Sequence, residues 1–271
     1  MNPVHDLRPL RYRAIWISDV HLGSRGCQAE FLLDFLHATQ CEYLYLVGDI
    51  LDLWNMKRGL YWPQSHNNVI RTVLGKAKRG TRVIYIPGNH DALLREHAGT
   101  RFGNVAIESE VVHTTAAGSR LLVVHGDQFD GVVKCSALVS VLGTRAYDLL
   151  LALSGWVNGL RRRLGFSYWS LAAYLKHRMG NARRYIRNFE QATAHEARRR
   201  GFDGVVCGHI HRAEMTTLNG ALYCNDGDWV ESCTALVERH DGELQLLRWA
   251  DRQHLVKSLS TQAPVPVGHA A

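Results

Sequence analysis

The sequence lacks the features that define several classes of protein. Its 24 glycines form no three-residue repeat, which excludes a collagen-like chain. Its apolar content of 46% is too high for an intrinsically disordered protein. No stretch reaches about 18 consecutive apolar residues, and residues 1–13 have no apolar core of the kind found in signal peptides. Neither a membrane-spanning helix nor a signal peptide is therefore expected.

Paired cysteines and an excess of acidic residues are also lacking. None of the six cysteines stands in a C-x-x-C pair, which favours a reduced, cytosolic compartment over a disulfide framework. The 32 Lys and Arg residues outnumber the 25 Asp and Glu residues, so the formal net charge is +7. A basic chain favours an acidic partner such as phosphate, nucleic acid or an anionic membrane surface.

Five short apolar runs recur along the chain, and polar residues follow each of them directly. Runs of four or five apolar residues are typical of buried strands in a covered sheet. Between the first runs, apolar residues at i,i+4, such as Phe31/Phe35 and Val69/Val73, indicate helices. This alternation predicts an α/β fold with ligands beyond the C-terminal strand ends. The runs are residues 14–17, 43–47, 82–86, 121–124 and 204–207.

The second half of the sequence predicts a helical insertion, a returning helix and three more strands. The returning helix is predicted over residues 188–200. Short antiparallel strands that close a second sheet are predicted over residues 221–224, 235–237 and 244–247. We expect one domain over residues 1–257, with the insertion at about 131–187, and a disordered tail over 258–271.

The insertion combines basic and aromatic residues. It contains ten Lys and Arg residues, and Arg161, Arg162 and Arg163 stand among Trp156, Phe166, Tyr168 and Trp169. Such a composition favours binding to an anionic membrane surface. An ordinary helical cap with solvated arginines is the alternative. Single-stranded nucleic acid is disfavoured as a partner, because no nucleic-acid motif is present.

The polar residues after the strands are those that bind metal ions. Carboxylate, imidazole and amide groups without thiolate favour Mn²⁺, Fe or Zn over a structural cysteine–zinc site. Two ions about 3.5–4 Å apart need a bridging ligand, for which Asp49 is the candidate. The motifs are D-x-H at Asp19 and His21, G-D-x-x-D at Asp49 and Asp52, G-N-H-D at Asn89, His90 and Asp91, H-G-D at His125, and G-H-x-H at His209 and His211.

In this order the five motifs resemble the signature of the calcineurin-like metallophosphoesterase family, over roughly residues 11–240 apart from the insertion. The resemblance implies a four-layer α/β/β/α sandwich with a helical cap, classed as α/β or by some schemes as α+β. It also implies a hydrolase with two divalent metal ions, of which Mn²⁺ is favoured and Fe or Zn are alternatives. The implied ligands are Asp19, His21, Asp49 and His211 for one ion, and Asp49, Asn89, His125 and His209 for the other.

The same resemblance gives His90 the role of the acid that protonates the leaving group, oriented by Asp52 or Asp91. An imidazole with an unperturbed pKa of about 6.5 suits this task. Two divalent cations would neutralise the phosphoryl oxygens and lower the pKa of a bound water that attacks phosphorus. The residues expected to contact substrate are Asn89, His90, Asp130, Lys176, Arg178 and His209.

Several other residues are expected to be structural. Lys176 and Arg178 could equally be solvated charges on a helix face. The block at residues 227–229 is predicted to be a turn that supports the metal-binding loops. His66, His113 and His195 belong to no motif, and each is predicted to be a surface or core residue.

Three further blocks narrow the resemblance to the UDP-2,3-diacylglucosamine pyrophosphatase group. They are residues 123–130, the basic insertion and residues 227–238. The group cleaves UDP-2,3-diacylglucosamine to UMP and 2,3-diacylglucosamine 1-phosphate in lipid A biosynthesis. This implies a cytoplasmic protein, bound peripherally to the inner face of the bacterial inner membrane.

One departure from the group leaves the substrate open. The group has Arg at the third position of G-N-x-D, whereas this chain has His90 and so resembles a paralogous branch. Because Arg and His differ in charge and acidity, another lipid or nucleotide phosphoester is the alternative substrate. A non-catalytic scaffold is disfavoured, because every expected ligand is present.

Overall fold

A computed structural model of the protein describes residues 9–131, 161 and 180–250. Two β-sheets lie face to face, with helices on their outer sides. The helices are α1 (Ala29–Ala38), α2 (Leu53–Arg58), α3 (Gln64–Lys78) and α4 (Gly180–Arg199). The strands are β1 (Leu10–Ile17), β2 (Thr39–Val47), β3 (Arg82–Ile86), β4 (Thr100–Phe102), β5 (Val105–Ile107), β6 (Val111–Thr114), β7 (Arg120–Val123), β8 (Gly204–Cys207), β9 (Glu214–Leu218), β10 (Ala221–Asn225), β11 (Thr234–Glu238) and β12 (Leu244–Arg248).

The layers are joined by three apolar clusters. One packs α1 and α3 against the larger sheet, with Phe35 and Val69 among its buried residues. A second fills the space between the sheets and includes Trp16 and Val206. The third packs α4 against the smaller sheet through Phe189. The predicted four-layer α/β/β/α arrangement is confirmed over the described residues.

The strand order brings the five polar motifs together. The larger sheet has the order β12-β11-β1-β2-β3-β5-β4 and the smaller one β6-β7-β8-β10-β9. β1, β2 and β3 pair in parallel, and so do β7 and β8. Because parallel strands end at the same edge, their C-terminal loops are neighbours. Each motif therefore reaches one end of the sandwich.

Two of the three downstream strands were predicted in the wrong sheet. β11 pairs antiparallel with β1, with Ile15 opposite Val237, and β12 pairs with β11, so both extend the larger sheet. β10 does lie in the smaller sheet, antiparallel to β9 but parallel to β8. An apolar run shows that a strand is buried, but its partner is decided by contacts distant in sequence. The short strands β4, β5, β6 and β9 were not predicted.

Several predictions fall outside the described residues. They concern most of the insertion at about 131–187, Lys176, Arg178 and the tail over 258–271. Within the described part of the chain, no helix has both the length and the apolar character needed to cross a membrane.

Candidate metal centre

The loops that carry the motifs have unusual backbone conformations. Seven described residues other than glycine have positive φ, and five of them are predicted metal ligands. This left-handed region is disfavoured for residues with a Cβ, and such strain concentrates at functional sites. The packing of the sandwich must therefore stabilise backbone conformations that are unfavourable for these residues by themselves. The five residues are Asp19, His21, Asp49, His209 and His211.

Asp19, His21 and His211 form the first cluster of potential ligands. Nε2 of His211 lies 3.2 Å from Oδ1 of Asp19, and Nε2 of His21 lies 3.9 Å from the same oxygen. The other oxygen of Asp19 accepts hydrogen bonds from the backbone N–H of His209 (2.8 Å) and the hydroxyl of Ser18 (2.6 Å). Oδ1 of Asp19 is thus the oxygen that faces the imidazoles.

Asp49, His125 and His209 form the second cluster. Nε2 of His125 lies 3.4 Å from Oδ2 of Asp49 and 3.3 Å from Oδ1 of Asn89. Nε2 of His90 lies 4.0 Å from Oδ2 of Asp49, and a third group of potential ligands combines His21, Asp49 and His90. Asp49 therefore stands between the two halves of the site.

The chemistry of these groups fits divalent cations. Oδ1 of Asp19 is buried and accepts no well-formed hydrogen bond from the described residues, and burial of a carboxylate oxygen without such bonds is costly. A cation between this oxygen and the facing imidazoles would compensate for that cost. Carboxylate, imidazole and amide oxygen are ligands that Mn²⁺, Fe and Zn accept.

The charges of the cluster explain its pKa values. Burial would raise the pKa of Asp49, but the His125 imidazole lowers it to about 2. Burial would lower the pKa of His125, yet Asp49 and the nearby Asp19 raise it to about 10. The pKa of Asp19 also lies well below its usual range: burial alone would raise it, but the imidazoles of His211, His125 and His21 together outweigh that effect. The imidazoles thus favour the ionised form of both carboxylates, which is the form that binds a divalent cation.

The alternative left open for His90 is resolved by geometry. Nδ1 of His90 lies 3.0 Å from Oδ1 of Asp52, whose other oxygen lies 3.3 Å from Nδ1 of His21. Asp91 instead accepts hydrogen bonds from the backbone N–H groups of Gly88 (2.6 Å) and Ile50 (2.9 Å). It thereby links the loops that follow β2 and β3. Asp52, rather than Asp91, is therefore the carboxylate that contacts His90.

The turn at residues 227–229 supports the first cluster, as expected. The backbone N–H of Trp229 donates to the carbonyl oxygen of Asp19 at 3.1 Å. The hydroxyl of Ser18 lies 2.6 Å from Oδ1 of Asp226, a buried carboxyl group. The side chain of Asp228 closes its own turn by accepting the N–H of Val230 at 2.8 Å.

The remaining candidate residues are placed as follows. Both oxygens of Asp130 lie close to Nε2 of His209, at 2.9 and 3.0 Å, and Tyr185 donates to Oδ1 of Asp130 at 2.7 Å. His66 and His113 are buried and belong to none of the ligand clusters, while His195 is exposed on α4. Ser18 and Tyr185 were missed, because neither stands in a metal-ligand pattern that the sequence could reveal.

The chain belongs to the calcineurin-like phosphoesterase family, whose model matches residues 12–213. The expected class of protein is thereby confirmed: the chain is a metallophosphoesterase-type hydrolase, a class that uses divalent metals.

Three relatives are each named UDP-2,3-diacylglucosamine hydrolase. The protein of Neisseria meningitidis serogroup B is 24% identical, over 85% of this chain and 95% of the relative. That of Xanthomonas axonopodis pv. citri is 28% identical, over 84% of this chain and 96% of the relative. The alignment with the protein of Blochmanniella pennsylvanica is 28% identical but covers only 42% of this chain and 46% of the relative.

Proposed function

We propose that the protein hydrolyses UDP-2,3-diacylglucosamine to UMP and 2,3-diacylglucosamine 1-phosphate, with two Mn²⁺ ions. The observation that carries the proposal is the pair of neighbouring ligand clusters, Asp19–His21–His211 and Asp49–His125–His209, with the His90–Asp52 pair beside them. Asp19, His21, Asp49 and His211 would hold one ion, and Asp49, Asn89, His125 and His209 the other. When bound, the cations supply positive charge for the phosphoryl oxygens and activate water.

The protein's own residues supply orientation and a proton. Asp52 lies against Nδ1 of His90 and so fixes the ring with Nε2 toward the cluster. From there Nε2–H can donate a proton to the oxygen that leaves phosphorus. The indole of Trp54 covers the His90 ring with a centroid distance of 4.2 Å, which restricts its rotation. Asn89 and His209 are also proposed to lie near the phosphates of the substrate. Asp130, Lys176 and Arg178 are proposed as further substrate contacts.

The choice of substrate rests on the relatives and on charge. Relatives that align over most of this chain are named for UDP-2,3-diacylglucosamine. A net charge of +7 suits a diphosphate at an anionic membrane surface. We therefore propose a cytoplasmic protein that binds the inner face of the inner membrane peripherally. His90, in place of the arginine of the pyrophosphatase group, supports another lipid or nucleotide phosphoester as the second candidate.

A substrate comparison tests this proposal. The protein with Mn²⁺ is expected to release UMP from UDP-2,3-diacylglucosamine faster than it cleaves CDP-diacylglycerol or an aryl phosphodiester. Vesicles of anionic lipid that carry the substrate are expected to give faster turnover than neutral ones, because the chain is basic. Turnover of another phosphoester without UMP release would reject the substrate and retain the reaction class.

The role of His90 predicts a dependence on the leaving group. His90→Gln is expected to slow hydrolysis of an alkyl or sugar phosphoester by about 10²–10⁴-fold. The rate of hydrolysis of an aryl phosphodiester should fall much less, since its leaving group departs without a proton. Asp52→Asn is expected to show the same pattern more weakly. Equal losses for both kinds of substrate would show that His90 does not act as the acid.

A further inference from the structure

His209 is held by a chain of hydrogen bonds that reaches α4. Its Nε2 lies within 3.0 Å of both oxygens of Asp130, and Tyr185 donates to Asp130 at 2.7 Å. Asp130 is half exposed, whereas the His209 side chain is largely covered, with 12% of its surface accessible. Because Nε2 is engaged in this way, Nδ1 is the ring nitrogen that remains for a cation beside Asp49 and His125.

Two other histidines of the site follow the same rule. His125 has Nδ1 at 2.8 Å from the carbonyl oxygen of Val47 and directs Nε2 to Asp49. His21 has Nδ1 against Asp52 and directs Nε2 to Asp19 and His211. In the rings of His125 and His21, Nε2 thus faces the cluster and Nδ1 lies within hydrogen-bond distance of an oxygen atom. Metal-binding histidines in general have such a partner, which fixes the tautomer and the orientation of the ring.

We propose that Asp130 and Tyr185 are positioning residues that hold His209 as the Nε2–H tautomer, with Nδ1 directed to the second cation site. The inference rests on the proposed function, since it presumes that His209 is a metal ligand. It gives α4 a part in the site although α4 carries no ligand. The rings of Tyr185 and Phe189, one turn apart on α4, are stacked with centroids 6.5 Å apart. Phe189 in turn packs on His209 at 5.9 Å.

The consequence is a coupling between the placement of α4 and the affinity for one metal ion. Loss of an outer partner of a metal-binding histidine weakens metal binding by about 10–100-fold. We expect Asp130→Ala to weaken Mn²⁺ binding by this factor in only one of the two binding steps. Asp130 contacts His209 of the second cluster, and Asp19, His21 and His211 of the first cluster do not depend on it. Tyr185→Phe should cause a smaller loss in the same step. Asp130→Asn should restore part of the affinity, since its amide oxygen can still accept the Nε2–H.

The test is a calorimetric titration of the metal-free full-length protein with Mn²⁺. Tyr43→Phe is the matched control, because it removes a tyrosine hydroxyl that accepts a hydrogen bond from Arg82 at 3.3 Å outside the clusters. The nitrogen chemical shifts of the imidazoles in the metal-free protein provide a second readout. They should report Nε2–H for His209 in the unmodified protein, and a mixture of tautomers in Asp130→Ala.

The outcomes separate this inference from the proposed function. Unchanged affinity in both steps for Asp130→Ala and Tyr185→Phe, or an unchanged tautomer, would overturn the inference and leave the metal site standing. Unmodified protein that binds no Mn²⁺, or Asp49→Asn that binds two ions as tightly as the unmodified protein, would overturn the metal site itself. Circular dichroism on each variant shows that a weaker titration does not reflect unfolding.

Discussion

Replacing Asp49 with asparagine is expected to lower phosphoester hydrolysis by at least about a thousandfold, whichever substrate is used. The buried side chain faces His125 at 3.4 Å and accepts the backbone N–H of His90 at 2.8 Å. An amide in this position loses the negative charge that a cation requires. Charge stabilisation by a metal ion contributes several kcal/mol, and about 1.4 kcal/mol corresponds to a tenfold change in rate.

Measurements of Mn²⁺ binding and of folding show whether the lower rate of Asp49→Asn results from weaker metal binding. Asp49→Asn should retain its circular dichroism spectrum, while calorimetry with Mn²⁺ shows weakened binding. Asp241→Asn is the matched control, because it makes the same change in charge at an exposed turn. Wild-type turnover by Asp49→Asn would remove Asp49 as the shared ligand. A loss of turnover in the control would show that the assay responds to net charge.

The second large effect is expected at a glycine. A Cβ at Gly88 would lie 2.7 Å from the backbone nitrogen of Asp49 and 2.8 Å from Cδ2 of His125, and closer still to Oδ1 of Asp49. Gly88→Ala must therefore displace both predicted ligands, which are buried and have little room to move. We expect turnover to fall by about 100-fold or more, since small displacements of reacting groups have effects of this size. The free energy of unfolding should fall by about 1–3 kcal/mol.

Gly59→Ala is the matched control for this prediction. Among the described residues, chain neighbours aside, no heavy atom lies within 4 Å of a Cβ at Gly59, and its φ of 171° is extended backbone that any residue adopts. Turnover, Mn²⁺ affinity and thermal unfolding are measured on both variants. If Gly88→Ala retains wild-type turnover, the packing between Gly88 and the ligands does not set the geometry of the site.

The sequence predicted which residues the fold brings together because the candidate ligands lie in short motifs directly after apolar runs. The runs at residues 14–17, 43–47 and 204–207 became β1, β2 and β8, and the adjacent polar residues meet at one end of the sandwich. This worked because local patterns encode strands, and parallel strands share an edge. The same patterns indicated the family, which the match over residues 12–213 confirms.

The partners of these residues could not be predicted. Sequence left His90 with either Asp52 or Asp91, because both stand close to the motifs. Only the folded chain places Asp52 at 3.0 Å from His90 and turns Asp91 to the backbone of the loops. Side-chain partners depend on the spacing and angle of loops that are distant in sequence, which no local pattern contains.

The same distinction holds for the whole chain. By itself the sequence determined the buried strands, the types of candidate ligand and the class of chemistry, since these follow from residue identity and short spacings. Tertiary structure decided that β11 and β12 join the larger sheet, and that Tyr185 on α4 reaches Asp130 beside His209. These contacts join segments tens of residues apart, and they are selected by the packing of the whole sandwich rather than by any segment within it.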